Sequence, residues 1–263
     1  MSKELNVPTM AECMAEGKTP DILFWVGSAG SYDDRAKKIT KAFVKILNKA
    51  NVNFAVLGTE ESATGDLAKR AGNEFLFQMQ AMMNIEVLNM YEVKRIVTCD
   101  PHSFNCLKNE YPGLGGVYDV MHHTQFIKEL ISSGKLDIKE SDYKGKQITF
   151  HDPCYLGRAN SEYNAPREVL SSLHANLVEM KRSKATALCC GAGGAQMFKE
   201  PEKGNKDINE LRTEDALQTN PEIIATACPY CMTMMSDGVK VKEKEAQIKV
   251  LDIAELIASS QNL

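Results

Sequence analysis

The sequence predicts an α/β fold made of two pseudo-repeated parallel-sheet βα units, with ligand-type residues at the C-terminal ends of the strands. Three observations lead there. Short apolar runs alternate with longer amphipathic ones, as parallel strands covered by helices do. The whole pattern recurs at about 127 residues, close to half of a 263-residue chain. The chemically distinctive groups of each half follow its apolar runs, where ligands gather in open α/β sheets.

The elements follow in order. Residues 21–26 (DILFWV) read as a buried strand. Residues 33–50 read as a helix, with acids in the first turn and Ile39, Phe43, Ile46 and Leu47 at helical spacing. Residues 53–57 make a second strand, 66–90 a long helical stretch and 95–98 a third strand. Further strands are expected at 147–150, 185–188, 223–227 and 248–251. Helices are expected at 165–173, 209–218, 230–239 and 253–259. Residues 200–207 (EPEKGNKD) read as a solvated loop and 240–245 (KVKEKE) as a solvated face. The expected division is a leader over 1–20, a first unit over 21–140 and a second over 141–263.

Composition narrows the function. Lys+Arg 31 against Asp+Glu 35 leaves a net charge of −4, which excludes a broad nucleic-acid surface. Apolar runs such as 22–26 fall far short of the roughly 20 residues a membrane span needs. The N-terminus, MSKELNVPTMAECMAEGKTP, lacks the apolar core of a signal peptide. A cytoplasmic, reducing setting is therefore expected, where eight cysteines point to metal or redox chemistry rather than disulfides.

Five of those cysteines form a pattern: Cys154 in HDPC, Cys189 and Cys190 in CCG, Cys228 and Cys231 in CPYC. Each group follows an expected strand. A closed zinc site and an ordinary cubane iron–sulfur cluster each take four ligands. An adjacent Cys-Cys pair suits a larger, multi-iron object better than one small ion, because neighbouring side chains diverge. The CxxC motif alone is common to zinc, iron–sulfur and dithiol sites. Two alternatives stay open: a structural or regulatory zinc protein, and a thiol–disulfide oxidoreductase using Cys228 and Cys231.

The first half repeats this layout without the thiols. Ser28 matches Cys154 at an offset of 154 − 28 = 126. Ser62 and Ala63 match Cys189 and Cys190 at 127, and Asp100 and Ser103 match Cys228 and Cys231 at 128. The loop DPHS even keeps the proline of CPYC.

The duplicated pattern Cys…Cys-Cys-Gly…Cys-X-X-Cys resembles the cysteine-rich (CCG) domain family, which includes a subunit of heterodisulfide reductase. The resemblance implies one noncubane [4Fe-4S] cluster held by Cys154, Cys189, Cys190, Cys228 and Cys231, with the first copy degenerate. The segments WVGSAGSYDD, GNEFLFQ, DPHSFNCLKNEYP and HHTQF resemble the C-terminal part of membrane-associated iron–sulfur oxidoreductases. That resemblance implies an electron-transfer subunit peripheral to the inner membrane, with a ferredoxin-like, membrane-bound partner. It also implies electrons passing from electron-transfer flavoprotein toward quinone. No side chain can be named as acid, base or nucleophile, and substrate chemistry at the cluster and simple electron relay both stay open.

Other residues carry weaker signals. Cys99 and Cys106 read as buried free thiols or a residual site, and Cys13 as incidental. His122 and His123 precede the amphipathic stretch TQFIKELI, as a helix entry or a partner surface. His102 lies in the degenerate loop, where it fills space or lines a pocket. His151 and Asp152 either tune a cluster through hydrogen bonds or merely form a turn. Arg158 either offsets thiolate charge or is an ordinary surface residue. The glycine runs at 113–116 and 191–194 lack the third glycine of a dinucleotide fingerprint, so neither NAD nor FAD is expected. Met79, Met82, Met83, Met232, Met234 and Met235 read as core filler.

Overall fold

The structure is a computed structural model that describes residues 5–138, 142–200 and 203–263. The expected boundary between residues 140 and 141 lies outside the described residues, as does part of the 200–207 loop.

In the first half, α1 (Met10–Ala15) precedes β1 (Ile22–Trp25), α2 (Gly27–Tyr32), α3 (Ala36–Lys49) and β2 (Phe54–Ala55). Then come α4 (Asp66–Arg70), α5 (Glu74–Met90), β3 (Arg95–Thr98), α6 (Pro101–Asn105), β4 (Asp119–His122) and α7 (His123–Ser132). The second half has β5 (Gln147–Phe150), α8 (Asn164–Ser171), β6 (Asn176–Leu177), α9 (Ile208–Leu217), β7 (Ile223–Thr226), α10 (Pro229–Val241), β8 (Lys249–Asp252) and α11 (Ile253–Ser260). Two four-stranded parallel sheets result, ordered β2-β1-β3-β4 and β6-β5-β7-β8. The orders coincide under the duplication: β1 maps on β5, β3 on β7 and β4 on β8.

Three expectations need correction. Residues 185–188 are not a strand: a short 3₁₀ turn spans Lys184–Thr186, and the strand that pairs with β5 is β6, through Gln147↔Asn176 and Ile148↔Leu177. The run ATAL is apolar, but β6 already holds that edge of β5. The long helical stretch at 66–90 is two helices, because Gly72 takes φ +87 and Asn73 caps α5 by accepting the Leu76 N–H at 3.0 Å. Met79, Met82 and Met83 are exposed rather than core, whereas Met232 and Met235 are fully buried. Helix α5 is apolar around most of its circumference, and only the face with Phe77, Ala81, Ile85 and Leu88 meets the core.

One apolar core runs through both halves, from Trp25, Phe24 and Phe43 to Phe150, Leu256 and Ile257. Helix α3 lies against α11, and Arg35 clamps Glu255 bidentately at 2.8 and 2.7 Å. The described part of the N-terminal segment also joins this packing, with Met10 and Cys13 buried and Thr9 bridged to Val56. His122 and His123 are fully buried, so they are not a partner surface. His122 caps α7, its backbone N–H donating to Gln125 Oε1 at 3.0 Å. His123 Nε2 lies 3.1 Å from Asp252 Oδ1 in the other half. Among the described residues, no helix is long and apolar enough to cross a membrane.

Two consequences are measurable. Burial lifts Asp252 to about 7, while an unfolded aspartate titrates near its ordinary value of 3.8. Between those values the folded state holds a proton that the unfolded state has lost, so this group's contribution falls as pH rises. The stability of the wild type relative to Asp252→Asn should therefore be higher at pH 5 than at pH 8, read by denaturant unfolding. Gly238 sits where α10 meets α9, and a methyl there would meet Asn209 O at 3.1 Å and crowd Thr213. Gly238→Ala should cost about 1–3 kcal/mol of stability by overpacking, read in the same way.

Candidate metal centre

The parallel sheet brings the thiols together. β5 and β7 pair through Thr149↔Ile224 and Phe150↔Ala225, so both end at one edge. Beyond β5 the chain turns through His151, Asp152 and Pro153 to Cys154. Beyond β7 it reaches Cys228, the N-cap of α10, with Pro229 in the first turn and Cys231 one turn on. The Cys189-Cys190 loop arrives from the side and is pinned there. Asp152 accepts the Lys184 N–H at 2.8 Å, and Arg158 donates to the Ala187 carbonyl. Asp152 is itself held bidentately by Arg167 at 2.8 and 3.0 Å. Asp152 and Arg158 thus set the loops.

The thiols share one site. Cys190, Cys228 and Cys231 pack in one buried cluster with Cys189 against it, and Cys154 and Cys189 perturb each other's ionisation. The Cys190–Cys231 sulfurs are 3.3 Å apart. Cys190, Cys228 and Cys231 are buried, and Cys154 and Cys189 are half-buried. The Gly191 N–H donates to Cys189 Sγ at 3.3 Å, from a backbone at φ +93 that glycine permits. Contact with Cys189, reinforced by burial, raises the Cys154 thiol. Contacts with Cys154 and Cys190, helped by the Gly191 amide, lower Cys189. A cluster of buried and half-buried thiols with an amide aimed at one sulfur fits a group that accepts several thiolates. A simple dithiol would leave most of it unused.

The five matching positions of the first half also converge, but on polar and small side chains. Ser28, Ser62, Ala63, Asp100 and Ser103 all line one cavity of about 350 Å3. Local carboxylates take the free amides there. Glu61 accepts the Val26 and Gly27 N–H groups at 2.9 and 2.6 Å. Asp100 caps α6, accepting the His102 and Ser103 N–H groups at 3.0 and 3.2 Å. Its counterpart Cys228 makes no such side-chain cap bond. Trp25, in the same cavity wall, is fully buried and its Nε1 has no partner among the described residues.

His102 joins the two sites. Its Nδ1 lies 2.9 Å from Asp66 Oδ2, and its ring packs on Tyr155 and Tyr230, with centroids 4.3 and 5.3 Å away. Tyr155 follows Cys154 and Tyr230 lies between Cys228 and Cys231. Burial alone would lower His102, but Asp66 and Asp100 lift it to about 9.

Sequence reasoning missed Arg212 altogether. It lies in α9, fully buried, and donates from Nε to His151 Nδ1 at 2.9 Å. An arginine inside an amphipathic helix looks like any solvated residue, so the sequence offers no signal for it. Burial, with the Arg212 charge, pushes His151 down to about 3, so its ring is neutral. Cys99 and Cys106 are buried thiols, the latter with Sγ 3.4 Å from Thr64 O.

Comparison with known proteins fits this arrangement. The family described as Cysteine-rich domain (CCG) matches twice, over residues 22–108 and 148–236. The chain belongs to that family. It is 50% identical over 258 residues to FadF of Bacillus subtilis (strain 168), named a probable iron-sulfur-binding oxidoreductase, covering 98% of this chain and 36% of that protein. It is 44% identical over 261 residues to EtfAB:quinone oxidoreductase of Syntrophomonas wolfei, covering 97% of this chain and 36% of that protein. It is 36% identical over 250 residues to one subunit of the dihydromethanophenazine:CoB–CoM heterodisulfide reductase of Methanosarcina barkeri, covering 92% of this chain and 59% of that one. The chain thus spans between 36% and 59% of the length of these relatives.

The His102 pair yields a check. Asp66→Asn removes the anion that favours the charged imidazole, so the His102 titration followed by NMR should fall from about 9 toward the ordinary histidine range.

Proposed function

We propose that this chain is an iron–sulfur electron-transfer unit that holds one noncubane [4Fe-4S] cluster on Cys154, Cys189, Cys190, Cys228 and Cys231. The observation that carries the reading is the gathering of the five cysteines at one site, with Cys190, Cys228 and Cys231 buried together, Cys189 packed against them and Cys154 beside Cys189. The number of thiols supports an iron–sulfur group over zinc, which would leave one idle. When bound, such a cluster supplies electron transfer; the protein supplies its binding, access and electrostatics. His102 of the first half packs on Tyr155 and Tyr230, which flank the thiols in the second, and the Gly191 amide faces the Cys189 sulfur.

The names of the relatives support a place in a larger oxidoreductase complex. In this reading a ferredoxin-like, membrane-bound iron–sulfur subunit is the partner, and electrons pass from electron-transfer flavoprotein toward quinone. The unit would sit on the cytoplasmic side, peripheral to the inner membrane through that partner. The two units, 21–140 and 141–263, divide the labour: the second binds the cluster and the first frames it.

Anaerobic purification with iron, acid-labile sulfide and zinc measured together tests the reading. The wild type and Cys13→Ala should carry iron and sulfide, and Cys189→Ser should lose or alter the cluster's absorption and paramagnetic signal. Near-stoichiometric zinc without sulfide would return the protein to the zinc alternative. Equal effects of the two substitutions would undo the ligand assignment.

A further inference from the structure

One polar side chain, His151, lies buried beside the thiols, and a second, Arg212, lies buried against it. Arg212 is 0% exposed, and so is His151. Arg212 Nη1 donates to the Arg182 carbonyl at 2.7 Å and lies 3.4 Å from Asp215 Oδ2, which anchors the guanidinium. Its Nε–H then donates to His151 Nδ1 at 2.9 Å. The His151 backbone is tied to the sheet by its own N–H, which donates to Ala225 O at 2.9 Å.

This geometry decides the tautomer. A guanidinium only donates, so His151 Nδ1 must present its lone pair. A neutral imidazole with a lone pair on Nδ1 carries its proton on Nε2. That Nε2 is buried and has no hydrogen-bond partner among the described residues. A His151 ring nitrogen and the sulfurs of Cys190 and Cys231 all lie within 4.8 Å of one another. A buried N–H donor without a partner is costly, and here the neighbouring acceptors are sulfur.

We infer that His151 donates its Nε2–H to a sulfur of the cysteine set, Cys190 or Cys231, and that Arg212 is the positioning residue that holds it in that tautomer. The inference rests on the proposed cluster, whose redox state the hydrogen bond would tune. Two consequences follow. His151 is not a metal ligand, although it stands close enough to pass for one. The lone pair that a metal needs is on Nδ1, and Arg212 occupies it. The bond also favours the reduced state, because an added electron increases the negative charge on sulfur and so strengthens N–H···S. The buried Arg212 cation acts in the same sense.

The test uses the full chain, loaded anaerobically, and spectroelectrochemical titration of the wild type, His151→Leu, His151→Gln and Arg212→Met. His151→Leu should cut the reduced-to-oxidised ratio at a fixed potential about ten-fold, which is about 59 mV for a one-electron couple. His151→Gln offers an amide donor at about the reach of Nε2 and should recover most of that loss. Arg212→Met should shift the potential in the same direction as His151→Leu. An unchanged midpoint in His151→Leu, or equal shifts in the Leu and Gln variants, would overturn the inference. A second measurement does not need the cluster. Long-range proton–nitrogen correlation in the cluster-free chain should show the Nε2–H tautomer at His151 in the wild type and its loss in Arg212→Met. An Nδ1–H tautomer or an imidazolium in the wild type would also overturn it. A chain that takes up no iron or sulfide would sink the proposed function instead, and the tautomer measurement would still decide the donor.

Discussion

The parallel pairing of β5 with β7 ends both strands at one edge, and the chain leaves that edge toward Cys154 and toward Cys228. A parallel sheet sends its loops to the same side at the C-terminal ends of its strands, so thiols 74 residues apart (228 − 154) meet without any local signal between them. The third segment is not carried by a strand. Lys184 and Ala187 are fastened to Asp152 and Arg158, and these bonds bring Cys189 and Cys190 to the other three. The charged residues beside Cys154 serve the loops first.

The thiol-free half has the same sheet order, and its five matching positions still converge on one cavity. Its backbone amides are satisfied differently. Glu61 and Asp100 take N–H groups at the ends of β1 and β3. Aspartate is a strong helix cap and a thiol is a weak acceptor, so Asp100 stabilises α6 where Cys228 leaves α10 without a side-chain cap. This half also stays engaged with the thiol site. His102 packs on Tyr155 and Tyr230, and α3 and His123 tie into α11 and Asp252. Removing it would expose a core shared by both halves.

Much of this was legible in the residues. The strands at 95–98 and 147–150 match β3 and β5, because their apolar runs are bounded by turn residues. The five cysteines stand out in the sequence by their pattern, and the resemblance to the CCG family is what implies that they act together. The strand expected at 185–188 failed because an apolar run does not say which edge is free. The methionines of α5 failed because a helix apolar on most sides has no preferred face until its neighbours choose one. Cys13, in a polar segment, is buried because α1 docks on the sheet through Met10 and the Thr9–Val56 bridge.

By itself the sequence determined the α/β class, the duplication and the spacing of the thiols, since hydrophobic period and residue identity are local properties of the chain. Only the tertiary structure decided how the sulfurs touch, which loop is held by a carboxylate rather than a strand, and that His122 and His123 lie inside. It alone set Arg212 against His151 across 61 residues, fixing which ring nitrogen carries the proton. The reason is physical. A tautomer, a buried charge and a sulfur contact depend on neighbours in space, and those neighbours come from elements whose separation along the chain carries no information about their meeting.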